Sequence, residues 1–206
     1  MNCPACNFEK SKLLGNVWGT EYHECVNCKT IFSRELEQGG MVGGGFAYER
    51  SLQNSGRIER FTELAGKGAT IIDWGCGNGE LVHACTLAGF MAYGYDKFSE
   101  QYKRKPRITA NLVSMVEVIE HLTGKKLEQT FADIDKCTVP GSLLYIETCF
   151  ADVCGWGSFY VEPKVGHSTI WSYAGMDEFM WGHKWALKKA INSTVRVYEK
   201  VSETIP

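Results

Sequence analysis

The sequence predicts an α/β fold, a mostly parallel sheet with helices on its faces, preceded by a small cysteine-bearing module. Three observations carry that prediction. Residues 69 to 98 read as a strand, a glycine-rich turn, a helix and a second strand that ends in an acid. Two further runs, Asn111 to Val118 and Ser142 to Thr148, are near-continuously apolar, as parallel strands covered on both faces are. Two Cys-x-x-Cys pairs, Cys3 to Cys6 and Cys25 to Cys28, open the chain.

The bulk numbers set the frame for these elements. With 206 residues and 44% hydrophobic content there is room for one full α/β domain and an appended module, and not for two large domains. The net charge of -2 and the pI of about 6.2 give no overall pull toward nucleic acid or an anionic membrane. Apolar runs are only a few residues long, and Met1-Asn2-Cys3 does not begin a basic and apolar leader. The expectation is a soluble, cytoplasmic chain with no membrane partner. Of the nine cysteines, four sit in two tight pairs and five are scattered singly, a pattern of reduced thiols with a metal site.

The first module is predicted to occupy residues 1–38. Cys3-Pro4-Ala5-Cys6 and Cys25-Val26-Asn27-Cys28 are separated by eighteen residues, the spacing of a four-thiolate zinc ribbon in which each pair forms a turn. Cys3, Cys6, Cys25 and Cys28 are thus the expected ligands of a structural zinc; two disulfides or a redox pair are the competing reading. Zinc ribbons elsewhere bind nucleic acid, but Lys10, Lys12, Lys29 and Arg34 stand against Glu9, Glu21, Glu24, Glu35 and Glu37, four cations to five anions. A nucleic-acid grip is not favoured.

Residues 39–47 carry the run Gly39-Gly40-Met41-Val42-Gly43-Gly44-Gly45 and read as a linker, because glycine holds regular structure only at an entropic cost. The second domain is predicted over 48–206. Tyr48 to Ala65 has the loose helical spacing of Leu52, Ile58, Phe61, Leu64 and Ala65. Ala69 to Asp73 is a β run, Glu80 to Leu87 a helix, and Phe90 to Tyr95 a second β run, together one βαβ unit. Thr194 to Val201 alternates and reads as a closing edge strand.

Between the first strand and helix lies Asp73-Trp74-Gly75-Cys76-Gly77-Asn78-Gly79, with glycines at alternate positions that let the backbone turn sharply and approach a ligand. A dinucleotide fold would place its third glycine where Glu80 stands. The segment resembles the first motif of class I S-adenosylmethionine (SAM)-dependent methyltransferases, Asp-x-Gly-x-Gly-x-Gly. That resemblance implies a Rossmann-like sheet, SAM as cofactor, and its methionine part held by Asp73, Gly75, Cys76, Gly77 and Gly79. Asp96 closes the next strand where a carboxylate would accept hydrogen bonds from both ribose hydroxyls.

The chain departs from the family after Asp96. Only Lys97 to Ala110 precede the next strand, so the sheet is expected to be trimmed between its second and fourth strands and the adenine contact is not assigned. This link contains Tyr102-Lys103-Arg104-Lys105-Pro106-Arg107, read either as a solvated loop or as a phosphate-binding patch.

After the Asn111 strand, Glu117, Glu120 and His121 stand at i, i+3 and i+4, one face if the chain turns helical there. Val116-Glu117-Val118-Ile119-Glu120-His121-Leu122 is similar to the corresponding segment of ubiquinone-biosynthesis O-methyltransferases and of small-RNA 3′-terminal 2′-O-methyltransferases. The latter likeness implies that Glu117, Glu120 and His121, with His167 as the later histidine, hold a second divalent metal (Mg, Mn, Fe, Co or Zn) beside the methyl group. Such a metal would orient a hydroxyl and lower its pKa; without it, His121 or His167 is the expected general base. The cysteine module also looks like one that precedes methyltransferase domains acting on nucleotide-linked sugars.

Trp156, Phe159, Tyr160, Trp171, Tyr173, Phe179, Trp181 and Trp185 crowd the C-terminal part. They either stack on a substrate or close the core, and core is the favoured reading for each. His83 and His183 are expected to be structural. The function expected is O-methylation of a small hydroxylated molecule such as a sugar, nucleotide, catechol or diol. The alternatives are an RNA-terminal 2′-O-methyltransferase and a non-catalytic zinc-ribbon binding protein on a degenerate SAM fold.

Overall fold

The structure is a computed structural model that describes residues 2–33, 47–158, 160, 161 and 163–202. The predicted linker up to Phe46, the end of the cysteine module after Ser33, and Phe159 lie outside the described residues.

The chain forms β1 (Ser11–Val17), β2 (Thr20–Cys25), β3 (Ile31–Ser33), α1 (Ala47–Ala65), β4 (Thr70–Trp74), α2 (Glu80–Leu87), β5 (Met91–Tyr95) and β6 (Leu112–Val116). A 3-10 turn at Ile119–His121 leads to α3 (Gly124–Asp135), β7 (Leu143–Glu147) and α4 (Ala151–Cys154). A second 3-10 turn, Pro163–Val165, precedes β8 (Thr169–Ile170), α5 (Tyr173–Gly182), β9 (Trp185–Ala190) and β10 (Val195–Lys200).

The main sheet has the order β5-β4-β6-β7-β10-β9. β5, β4, β6 and β7 are parallel, and β10 runs antiparallel to both β7 and β9. The apolar continuity of β6 and β7 follows from this placement: both are central, and helices cover both faces. On one face Phe61 of α1 and Leu81 and Cys85 of α2 pack with Ile71, Leu112 and Tyr145; on the other, Leu127, Phe131 and Ile134 of α3 meet Met176, Phe179 and Met180 of α5. Burying side chains of this size stabilises the fold by about 1.5–3 kcal/mol each.

The expectation for Thr194 to Val201 is corrected here. β10 is flanked on both sides, and the edge is β9, which the sequence analysis did not predict. Its sequence, Trp185-Ala-Leu-Lys-Lys-Ala190, buries only Trp185 and exposes Lys188 and Lys189. An edge strand is stabilised by one neighbour and guarded by lysines, so its apolar signal is weak. At the other edge, β5 has no strand outside it among the described residues, and residues 96–111 form turns and bends. The expected trimming is therefore present.

The cysteine segment builds a second sheet, β1-β2-β3-β8, antiparallel throughout. Its fourth strand comes from the large domain, so the module is stitched to the chain that follows His167. No helix among the described residues is long and apolar enough to cross a membrane.

Candidate functional site

The glycine turn lies at the C-terminal ends of the parallel strands, where open α/β sheets bind ligands. Gly75, Gly77 and Gly79 have φ of 85°, 56° and 80°, left-handed backbone that other residues adopt only with strain. Space selects glycine as well: a Cβ at Gly75 would run into the Val118 side chain, and one at Gly79 into the Tyr102 ring. The turn is fixed to β5 by Gly75 and Cys76 amides donating to the Tyr95 carbonyl. Asp96 accepts from the Gly77 amide at 3.0 Å and from the Phe98 amide at 2.7 Å, which aims its carboxylate across the turn. Asp73 sits beneath it, 6% exposed, accepting from the Ser114 hydroxyl at 2.8 Å. Burial raises its pKa to about 6 against the pull of Ser114 and Arg57.

A cavity of about 510 Å³ opens beside this turn. Gly75, Asp96, Glu117 and His121 are all among its lining residues. Of the residues predicted to hold the cofactor, Asp73, Cys76, Gly77 and Gly79 shape the turn rather than the cavity wall.

Of the second group of predicted residues, Glu120, His121 and His167 come together while Glu117 lies outside their cluster, and the geometry differs from the one expected. There is no α-helix at Glu117. This residue takes a left-handed φ of 52° at the end of β6, and only Ile119–His121 form a short 3-10 turn. Backbone strain of this kind persists where surrounding structure over-determines it. Ligand atoms of Glu120, His121 and His167 lie within 4.8 Å of one another. His121 Nδ1 donates to the Gly166 carbonyl at 3.1 Å and His167 Nδ1 to the Tyr160 carbonyl at 2.7 Å, which fixes both tautomers with the lone pair on Nε2. Desolvation lowers the pKa of both imidazoles, that of His167 to about 4, so both are neutral near pH 7.

Tyr160 organises this group, although in the sequence it stands only as one of many aromatics. Its hydroxyl lies 2.9 Å from Glu117 Oε2, 2.6 Å from Glu120 Oε1 and 2.9 Å from Thr148 Oγ1. A phenol has one proton for two carboxylate oxygens, so one of the acids retains its own. Burial and the Glu120 charge push the Glu117 pKa to about 8. Glu120 and two neutral imidazoles, each steadied by a backbone or hydroxyl partner, form a donor set suited to a divalent cation, with Glu117 joined to Glu120 through the Tyr160 hydroxyl. No spacing rule connects Tyr160 to Glu117 in sequence; the signal is tertiary.

The cysteines form a second candidate centre. Sγ atoms of Cys3 and Cys28, and of Cys6 and Cys25, are each 3.6 Å apart, and all four lie within 4.8 Å. A disulfide needs about 2.05 Å, whereas tetrahedral thiolates at about 2.3 Å from zinc stand about 3.8 Å apart. All nine cysteines are unbridged. Each pair closes a turn in which a left-handed residue, Asn7 or Lys29, returns its amide to the carbonyl of Cys3 or Cys25.

Of the remaining aromatics, Trp171, Phe179 and Trp185 are buried in the core as favoured, whereas Trp156 and Trp181 are exposed, which corrects the core reading for those two. His183 packs on Phe131 and Phe179.

The family described as "Methyltransferase domain" matches residues 46–199. No curated protein matches the chain by sequence. Among solved structures, a 1,6-didemethyltoxoflavin N1-methyltransferase from Burkholderia thailandensis, with 1,6-didemethyltoxoflavin and S-adenosylhomocysteine bound, superposes with a TM-score of 0.59. Identity is 10%, over 87% of this chain and 99% of that one. A SAM-dependent methyltransferase from Archaeoglobus fulgidus gives a TM-score of 0.53 at 18% identity, over 66% of this chain and 69% of that one. A TehB-like SAM-dependent methyltransferase from Corynebacterium glutamicum gives 0.51 at 16%, over 74% and 96%. At these identities the likeness is one of fold.

Proposed function

The chain belongs to the methyltransferase-domain family, and on that premise we propose that it is a SAM-dependent O-methyltransferase of a small hydroxylated molecule, assisted by a divalent cation. The observation that carries this reading is that one cavity of about 510 Å³ is lined by Gly75 and Asp96 and also by Glu117 and His121. Cofactor and acceptor groups thus share one enclosure, as an in-line transfer requires.

When bound, SAM supplies an electrophilic methyl group on a sulfonium. The glycine turn gives its methionine part the close backbone approach that side chains would block. Asp96 offers a carboxylate to the ribose hydroxyls, in exchange for its present bonds to the Gly77 and Phe98 amides. Glu117, Glu120, His121 and His167 are the residues that would hold the cation, whose chemistry is to orient an acceptor hydroxyl and lower its pKa. Tyr160 keeps the two acids together, and its carbonyl orients His167. Cys3, Cys6, Cys25 and Cys28 hold a structural zinc in this reading, with every ligand position filled by protein.

Calorimetry with SAM tests the cofactor site. The parent protein binds and a Gly77→Arg variant does not; a parent that fails to bind overturns the reading. Elemental analysis tests the metals. One zinc per chain is expected to depend on the cysteines. In the zinc-loaded protein, Mn²⁺ binding is expected to vanish in His167→Ala. Full activity in chelated enzyme, with no second metal found, would remove the cation from the proposal and leave His121 or His167 as the base.

A further inference from the structure

The basic link after Asp96 has no part in the chemistry above, yet it is placed for one. Lys103, Arg104, Lys105 and Arg107, joined by Lys136 just past the end of α3, line an open cavity of about 1230 Å³. The only acid in that lining is Asp133, and it is already engaged by Lys105 at 2.5 Å and Lys136 at 2.8 Å. Arg104 and Arg107 are exposed and make no ion pair among the described residues.

This groove adjoins the cavity of the candidate active site, because Lys105 and Asp133 line both. Lys97, Lys125 and Lys126 bring further cations to that shared mouth. Lys125 and Lys126 stand in the first turn of α3, where the helix dipole opposes positive charge. Lys97 has a lowered pKa, from burial first and from Lys126 second, as expected where like charges converge. Across the two linings eight cations stand against three acids, Asp96, Glu117 and Asp133, in a chain of net charge -2, and Lys103 also pairs with Glu100 at 2.7 Å. SAM carries a cationic sulfonium and does not relieve this excess. An anion does.

We propose that the groove at the trimmed edge of the sheet is a phosphate-binding subsite of the methyl acceptor. Phosphates lie against Arg104, Arg107, Lys103 and Lys136, and the hydroxyl end of the same molecule reaches past Lys105 into the smaller cavity. Guanidinium forks match phosphate oxygens in pairs, which favours the two unpaired arginines as the anchors. The inference rests on the methyl-transfer reading only in calling the bound anion an acceptor.

The test uses the full zinc-bearing chain, with pyrophosphate and a labelled ten-nucleotide single strand as separate probes, against an Arg104→Ala/Arg107→Ala variant. Neither arginine lines the SAM-side cavity, so SAM affinity and melting temperature of the variant are expected to match the parent. At least one probe is expected to bind the parent and to weaken tenfold or more in the variant. For the strand, the slope of log affinity on log salt is expected to shallow by about 1.4, two contacts at about 0.7 each. Pyrophosphate binding alone assigns the subsite to a small phosphorylated acceptor, and strand binding alone to a nucleic-acid end. Binding of neither probe, or undiminished binding in the variant, overturns the proposal. SAM binding by the parent is read separately: its failure removes the methyl-transfer reading and leaves the groove to be judged on the anion result.

Discussion

Gly75 combines a left-handed backbone with a neighbour, Val118, that fills the space of its missing side chain. Gly75→Ala is therefore expected to cost about 1–3 kcal/mol and to abolish SAM binding, measured by melting and calorimetry. Asp73 gives a pH-dependent prediction. Its folded pKa, about 6, lies above the ordinary aspartate value of 3.8, so the folded state holds the proton more tightly. The associated stability is full below pH 3.8 and is lost as pH rises through 6, by about 3 kcal/mol in all. Asp73→Asn is expected to flatten that loss, so its melting temperature relative to the parent rises between pH 5 and pH 8; an unchanged difference contradicts the assignment. At this scale the sequence was legible wherever function constrains neighbours in the chain. The glycines, Asp96, and the Glu-x-x-Glu-His run could be picked out. Tyr160 could not, because nothing local marks a phenol that meets Glu117 across forty-three positions.

Among elements, the cysteine module and β8 form the junction that matters most. Phe32 pairs with Thr169, the Ser33 amide donates to the Ser168 carbonyl, and the buried Tyr22 hydroxyl donates to the His167 carbonyl at 3.0 Å. Ser172 caps α5 by accepting from the Gly175 amide while its hydroxyl also meets the Cys28 carbonyl. The strand beside His167 is thus built on the cysteine module. Removing the zinc proposed for the four cysteines with a chelator is expected to raise hydrogen exchange over residues 163–175 along with residues 2–33, while residues 70–96 stay protected. Tyr22→Phe is expected to lose about 1 kcal/mol and to loosen residues 167–169 alone. Equal protection before and after chelation would separate the module from the site. Short apolar runs foretold β4 to β7, but β8, two residues long, and β9, an exposed lysine-bearing edge, leave no such run.

Across the whole molecule, α1 is tied to the sheet by Arg57, whose Nε and Nη2 donate to Glu147 at 3.1 and 2.6 Å, with Asn54 and Tyr145 completing the group. The Arg57 side chain is 9% exposed and that of Glu147 17%. Arg57→Met leaves a carboxylate without its main partner and is expected to cost about 3 kcal/mol by denaturant unfolding. Nothing in the sequence pairs these two residues, ninety positions apart. What the sequence by itself determined was the α/β class, the glycine turn with its acid, the trimmed link and the four-cysteine spacing. Each of these is a demand of backbone geometry or burial that neighbouring residues must meet. Only the tertiary structure decided the strand order and the hub at Tyr160. It alone joined the ribbon to His167 and gathered the basic link and Lys136 around one groove. Those contacts arise from packing between distant segments, where an individual side chain is selected by its surroundings in space and leaves no periodic trace along the chain.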